Sequence, residues 1–221
     1  MLEKIKEEVC RWNKELPKHN LVKWTSGNVS YKDPETNLVV IKPSGVMFDD
    51  LEPNMMSVVD LEGNVIEGDL KPSVDTKSHL YVYKHTDGIN SIVHTHSPFA
   101  TSFAIRGKNL DTYTTTAANM FKRTVKCTDF AIIGEEEIGK QIVENYDNDK
   151  AMLLRNHGVF TFAETCEDAV KNAVLLEEVA EYTHYALLHQ DSTVQPLDQE
   201  AIEKSNEFYK NNYGQKNRRR L

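Results

Sequence analysis

Two hydrophobic periods alternate along the 221 residues, and that alternation limits the fold more than any other feature. Leu2, Ile5, Val9, Trp12 and Leu16 recur at spacings of 3, 4, 3 and 4 with charge between them, which predicts an amphipathic helix stopped by Pro17. Helical spacing returns at 76–84 after Pro72, and at Ile138, Ile142 and Tyr146 after Gly134. It returns again along 165–190, where Ala169, Ala173, Leu176, Val179 or Ala180, and Thr183 share one stripe, and from Asp198 to 211 or 212. Between these segments lie short β-branched or alternating runs at 38–41, 57–60, 64–67, 91–96, 151–154 and 159–162. Glu62-Gly63 reads as the turn of a hairpin, and Asn156-His157-Gly158 joins the last two runs. Helices at both ends with short strands between them predict a single α/β domain over residues 1–215, with a mainly antiparallel central β-sheet flanked by helices. A basic tail at 216–221 follows. No internal repeat or long linker divides the chain.

Composition excludes several function classes. The formal charge of −8 and a pI near 5.5 argue against a binder of nucleic acid or of anionic membranes, because such a surface repels polyphosphate at long range. Cys10, Cys127 and Cys166 are an odd number, widely spaced and without a Cys-x-x-Cys pair, so neither a disulfide framework nor a zinc knuckle is expected. The first eight residues carry Glu3, Lys4, Lys6, Glu7 and Glu8 and no apolar stretch of a signal peptide. No apolar run approaches the roughly 20 residues of a membrane helix. The expected location is the cytoplasm.

Chemistry concentrates in His94-Thr95-His96. On a strand, period two puts both imidazoles on one face, which suits two ligands of one metal; a hydrogen-bonded pair at a strand end is the plainer alternative. His157 adds a third imidazole, in a turn where Gly158 lets the backbone bend. Asp75 is a fourth candidate ligand, and an aspartate there could also cap the helix that follows. Three histidines and a carboxylate suit Zn²⁺ or another first-row divalent ion such as Mn²⁺ or Co²⁺. Three loops, Ser26-Gly27-Asn28-Val29-Ser30, Pro43-Ser44-Gly45 and Pro72-Ser73, offer hydroxyls and free backbone N–H groups to an anion.

Longer motifs surround these residues: Leu16-Pro17-Lys18-His19-Asn20-Leu21-Val22, Gly27-Asn28-Val29-Ser30, Ile41-Lys42-Pro43-Ser44-Gly45-Val46, Lys71-Pro72-Ser73, Asp75-Thr76, Ile92-Val93-His94-Thr95-His96-Ser97 and Asn156-His157-Gly158. Glu167-Asp168-Ala169-Val170, Leu176-Glu177-Glu178-Val179-Ala180 and Tyr213-Gly214-Gln215 continue the series. Over nearly its whole length the chain resembles the class II aldolase/adducin-head family, and within it the L-ribulose-5-phosphate 4-epimerase branch.

The resemblance implies a class II aldolase-like fold and a homotetramer with active sites between subunits. It implies a divalent metal, usually zinc, on His94, His96 and His157, with Asp75 at or beside it. Phosphate is expected among Gly27, Asn28, Ser44, Gly45, Ser73 and Val74, with Lys42 nearby. Tyr213 matches a tyrosine supplied by the adjacent chain. Related aldolases carry Glu as their acid/base where this chain has Asp75, which points to the epimerase branch. The chain departs from the branch at three places. Asn119 stands where an acid/base aspartate is expected, Val74 replaces a serine, and Ile202 falls where a histidine is expected. The expected activity is interconversion of L-ribulose 5-phosphate and D-xylulose 5-phosphate by retro-aldol cleavage and re-formation of the C3–C4 bond. A metal-dependent aldolase or decarboxylase is the alternative that Asn119 favours, and a non-catalytic adducin-like module ranks below both.

Overall fold

The computed structural model describes residues 2–188 and 193–214. The basic tail expected at 216–221 and the end of the helix expected over 165–190 lie outside them. In chain order the elements are α1 (Glu3–Lys18), β1 (Asn28–Lys32), β2 (Val39–Ile41), β3 (Ser57–Val59), β4 (Val65–Glu67), α2 (Thr76–His85), β5 (Ser91–Thr95), α3 (Pro98–Arg106) and α4 (Thr115–Phe121). They continue with α5 (Glu137–Asn145), β6 (Ala151–Leu154), β7 (Gly158–Ala163), α6 (Cys166–Leu187) and α7 (Gln199–Asn212). The strands form one sheet in the order β4-β3-β2-β1-β5-β7-β6, with every neighbouring pair antiparallel.

Alternation along each strand sends side chains to opposite layers. One face carries Val29, Val40, Val58 and Val93 against Val9 and Leu16 of α1 and Ala169 and Ala173 of α6. On the same side Ala151, Leu153 and Val159 meet α3, α4 and the later turns of α6. The other face carries Val39, Val59, Ile92, Met152, Leu154, Phe160 and Phe162 against α2 and α5. Burial on both faces explains why 151–154 reads as a continuous apolar run rather than an alternating one.

Three sequence expectations change. Pro17 does not stop α1, which runs to Lys18. A proline's fixed φ suits a helical turn, and the stop comes at Asn20, whose φ of 56° lets the Leu21 N–H close back on Leu16 O at 3.1 Å. The segment taken as the first small-residue loop is largely strand β1, in the centre of the sheet. β5 ends at Thr95, so His96 lies just beyond the strand. α3 and α4 have no counterpart in the sequence reading. No helix among the described residues is long and apolar enough to cross a membrane.

Candidate metal and substrate site

His94 is set on β5 opposite Asn28 of β1 and Phe160 of β7, on the face that α2 covers. Its Nδ1–H donates to the Val159 carbonyl at 3.0 Å, which leaves the Nε2 lone pair pointing away from the ladder. His96 brings its own Nε2 within 3.1 Å of that atom, and His157 projects from the β6–β7 turn. The ligating nitrogens of the three lie within 4.8 Å of one another. Burial pushes the His96 and His157 imidazoles down to about 4, with His94 adding to the effect on both, so the two are neutral at pH 7.

This arrangement fits a divalent ion. Metal ligation requires neutral imidazoles, and the edge of a tetrahedral site with ~2.0–2.1 Å bonds is about 3.3 Å, close to the Nε2–Nε2 separation. His157 Nδ1 is buried without a hydrogen-bond partner. The rings crowd over Gly158, where a Cβ would stand 2.4 Å from Thr95 O, 2.7 Å from His96 Cδ2 and 3.3 Å from His94 Cε1. A chain with any side chain at 158 could not hold this triad.

Asp75 is not a member of the imidazole cluster but faces it. It occupies the residue before α2, yet its side chain makes no capping bond. Its Oδ2 instead accepts from Asn28 Nδ2 at 2.8 Å and from Ser73 Oγ at 3.2 Å. Burial alone would raise this carboxyl, but the fields of His94, His79 and His157 and the bond from Asn28 outweigh it and hold Asp75 below the ordinary value. The Asp75 carboxylate can only accept, which fixes the amide orientation, and Ser73 Oγ, whose own proton goes to Asp75, accepts the second N–H. That leaves Asn28 Oδ1, buried and unpaired, as an acceptor for a ligand hydroxyl.

The three loops converge. Ser44 N–H donates to Lys71 O at 2.9 Å and Ser73 N–H to Lys42 O at 3.0 Å, which ties the 43–45 and 71–73 loops around Pro43 and Pro72. Asn28 Nδ2 reaches Ser73 Oγ at 3.1 Å and joins the Gly27-Asn28 turn to them. Gly27 holds φ at 84°. Lys42 is buried, with Nζ donating to Thr25 O at 3.2 Å, and burial pushes it down to about 8 against the opposing pull of Asp75. Val74 is exposed on the rim.

Under the site runs a buried polar chain that the sequence did not mark. His79, one helical turn after Asp75, shares a 2.7 Å hydrogen bond between Nδ1 and Ser30 Oγ, and Ser30 Oγ lies 2.7 Å from Tyr83 Oη. Burial depresses His79 to about 3. The i, i+4 spacing of Asp75, His79 and Tyr83 was the available signal.

Asn119 and Tyr213 lie elsewhere. Asn119 is on α4, and its carbonyl accepts from Asn206 Nδ2 at 2.8 Å. Tyr213 follows α7, exposed and stacked on Tyr209 at 4.3 Å. Both line a groove of about 550 Å³ with Trp12, His19 and Glu178, and none of the three imidazoles lines it. Glu177 of α6 turns inward to the start of α3.

The profile described as Class II Aldolase and Adducin N-terminal domain matches residues 7–184. Among solved structures, an L-fuculose 1-phosphate aldolase superposes with a TM-score of 0.86 at 29% identity, covering 94% of this chain and 96% of that one. The L-fuculose-1-phosphate aldolase of Thermus thermophilus gives 0.74 at 26% identity, over 88% of this chain and 98% of its own. YgbL of Escherichia coli, named as a candidate aldolase/epimerase/decarboxylase, gives 0.80 at 25% identity, over 92% and 98%.

Proposed function

The chain belongs to the class II aldolase and adducin N-terminal domain family, and from that membership we propose that it is a Zn²⁺-dependent enzyme that breaks and remakes a C–C bond of a phosphorylated ketose. The first reading is L-ribulose-5-phosphate 4-epimerase. The observation that carries the catalytic reading is the convergence of three imidazoles beside an ionised Asp75 that Asn28 and Ser73 hold in place. Bound at His94, His96 and His157, a divalent ion would supply Lewis acidity toward the ketose oxygens.

The chain's own groups do the rest. The Ser44 hydroxyl and the backbone N–H groups of Gly27, Gly45 and Val74, with Asn28, Ser73 and the Lys42 ammonium beside them, take the phosphate, while the Ser44 and Ser73 N–H groups are spent on tying the two loops. Asn28 Oδ1 accepts from a substrate hydroxyl. Asp75 accepts a proton on the metal side. As the C4 hydroxyl proton leaves, the C3–C4 bond breaks and its electron pair passes to the ketone half; re-addition on the opposite face of the aldehyde gives the epimer. Proton transfer on the far side falls to Tyr213 of an adjacent subunit in a homotetramer, with Asn119 beside it orienting a water. Asn119 favours a second reading, a lyase that releases the aldehyde, because an amide cannot exchange a proton in the working pH range.

The test is to supply L-ribulose 5-phosphate to the Zn²⁺-loaded protein and follow D-xylulose 5-phosphate. Formation that stops on chelation is the expected result. No conversion, with aldehyde release from another phosphorylated ketose, replaces the epimerase by the lyase. Absence of any stoichiometric divalent ion would overturn both.

A further inference from the structure

We propose that Glu177 is a positioning residue for the metal centre, acting on His96 through the start of α3; the inference rests on the reading of the imidazole triad as a metal site. Of the three imidazoles, His96 has the least support from its own element. His94 is fixed by pairing on both sides and by its bond to Val159 O. His157 sits in a two-strand turn whose Asn156 and His157 N–H groups donate to Ala104 O and Leu154 O. The β5–β7 ladder ends at Thr95 with Val159, one residue short of His96. Only Ser97 separates His96 from α3, so the backbone of His96 is placed by wherever α3 begins.

The start of α3 is held from outside. Its first residue, Pro98, has no N–H, and the next two donors go to one carboxylate: Phe99 N–H to Glu177 Oε1 at 2.8 Å and Ala100 N–H to Oε2 at 2.9 Å. A negative charge here also meets the positive end of the helix dipole. Ser97, at the position where a serine ordinarily caps, makes no capping bond, and its hydroxyl is buried without a partner. Glu177 has taken that task from α6, the longest helix, which lies on the sheet beneath both β5 and β7. The carboxylate therefore ties His96 to the same rigid layer that carries His94. Phe99 also packs on His184 and Tyr185 of α6, so α3 stays docked when the carboxylate is removed while the register of its first turn is lost.

Co²⁺ in place of Zn²⁺ reads the geometry directly through its visible absorption. Glu177→Ala is expected to fold, to bind Co²⁺ roughly tenfold to a hundredfold more weakly than the wild type, and to shift the visible band. Glu177→Gln, which keeps one acceptor oxygen, is expected to lie between the two. Asp198→Ala removes an N-cap away from the imidazoles, the bond from Ala201 N–H at the start of α7, and should lower thermal stability with Co²⁺ affinity and spectrum unchanged. A folded Glu177→Ala with wild-type affinity and band overturns the assignment, as does an equal affinity loss in Asp198→Ala. If Glu177→Ala does not fold, the Glu177→Gln comparison decides on the same terms. A wild-type chain that binds no Co²⁺ at the imidazoles removes the metal reading itself, and this assignment with it.

Discussion

Gly158 is the residue at which the smallest chemical change has the largest geometric effect. The methyl of Gly158→Ala would overlap a strand carbonyl and a histidine ring, and the carbonyl belongs to backbone that cannot swing aside. The expected outcome is a loss of about 2 kcal/mol or more in a urea titration and a drop of at least about tenfold in divalent-ion affinity by chelator competition. His79 governs a different property. Its pKa is about 3 folded against an ordinary 6.5, so between those values the unfolded chain binds more protons. Stability at this residue is complete above pH 6.5 and is lost as pH falls toward 3, by about 4 kcal/mol over the whole window. His96 and His157 add to the same trend in the metal-free protein, over a window that closes near pH 4. Urea midpoints of chelated protein from pH 7 to pH 4 should fall steadily. His79→Asn, which keeps a partner for Ser30 but cannot titrate, should flatten the slope; an unchanged slope would place the effect elsewhere.

At the scale of elements, Gly27 governs the entry into the central strand. A Cβ there would lie 2.5 Å from Val22 Cγ1 and 2.8 Å from His94 O, and φ is 84°, so Gly27→Ala should separate β1 from β5 and cut soluble yield. A contrast is Thr165→Ala, which removes the N-cap bond from Asp168 N–H to Oγ1 together with the Oγ1–H bond to Asp168 Oδ2, and should cost about 1 kcal/mol with metal affinity unchanged. What the sequence made legible follows from where side chains point. The stripe from Ala169 to Thr183 was readable because one helix face meets apolar neighbours. β1 was not readable, because its inner face consists of Asn28 and Ser30, whose partners Asp75, Ser73 and His79 arrive from α2 and the loop before it. α4 begins in Thr115-Thr116, residues that disfavour helix interiors, and is fixed by the Thr114 cap and by packing on α6 and α7. Likewise the pairing of Glu177 with α3 spans 78 residues and leaves no local pattern. The imidazoles were legible because two share a two-residue spacing and the third sits in a glycine turn.

For the whole molecule, the sheet separates two sets of groups. His94 and Asp75 belong to the α2 face, whereas Asn119 and Tyr213 line a groove formed with α1, α4 and α6, helices of the opposite layer. One chain does not bring the two sets together, and the proposed tetramer is the means by which it would. Light scattering should give four times 25.3 kDa. His94→Asn and Tyr213→Phe should each be inactive as pure proteins, and mixed oligomers of the two should regain part of the activity. A mixture that exchanges subunits yet stays inactive would place both residues in one chain's site. The reciprocal bonds between the 43–45 and 71–73 loops bear on how such a chain can change over time. Because those loops are tied by main-chain groups, replacement of a side chain at their rim, as with Val74, leaves the proposed anion cradle standing. Meanwhile α4 and the residues around α7 can exchange acid, amide or phenol without disturbing any of the three imidazoles. The two halves are free to drift at different rates, so if the proposed function holds, a lineage can keep how it grips a phosphorylated sugar while altering what it does to the carbon chain.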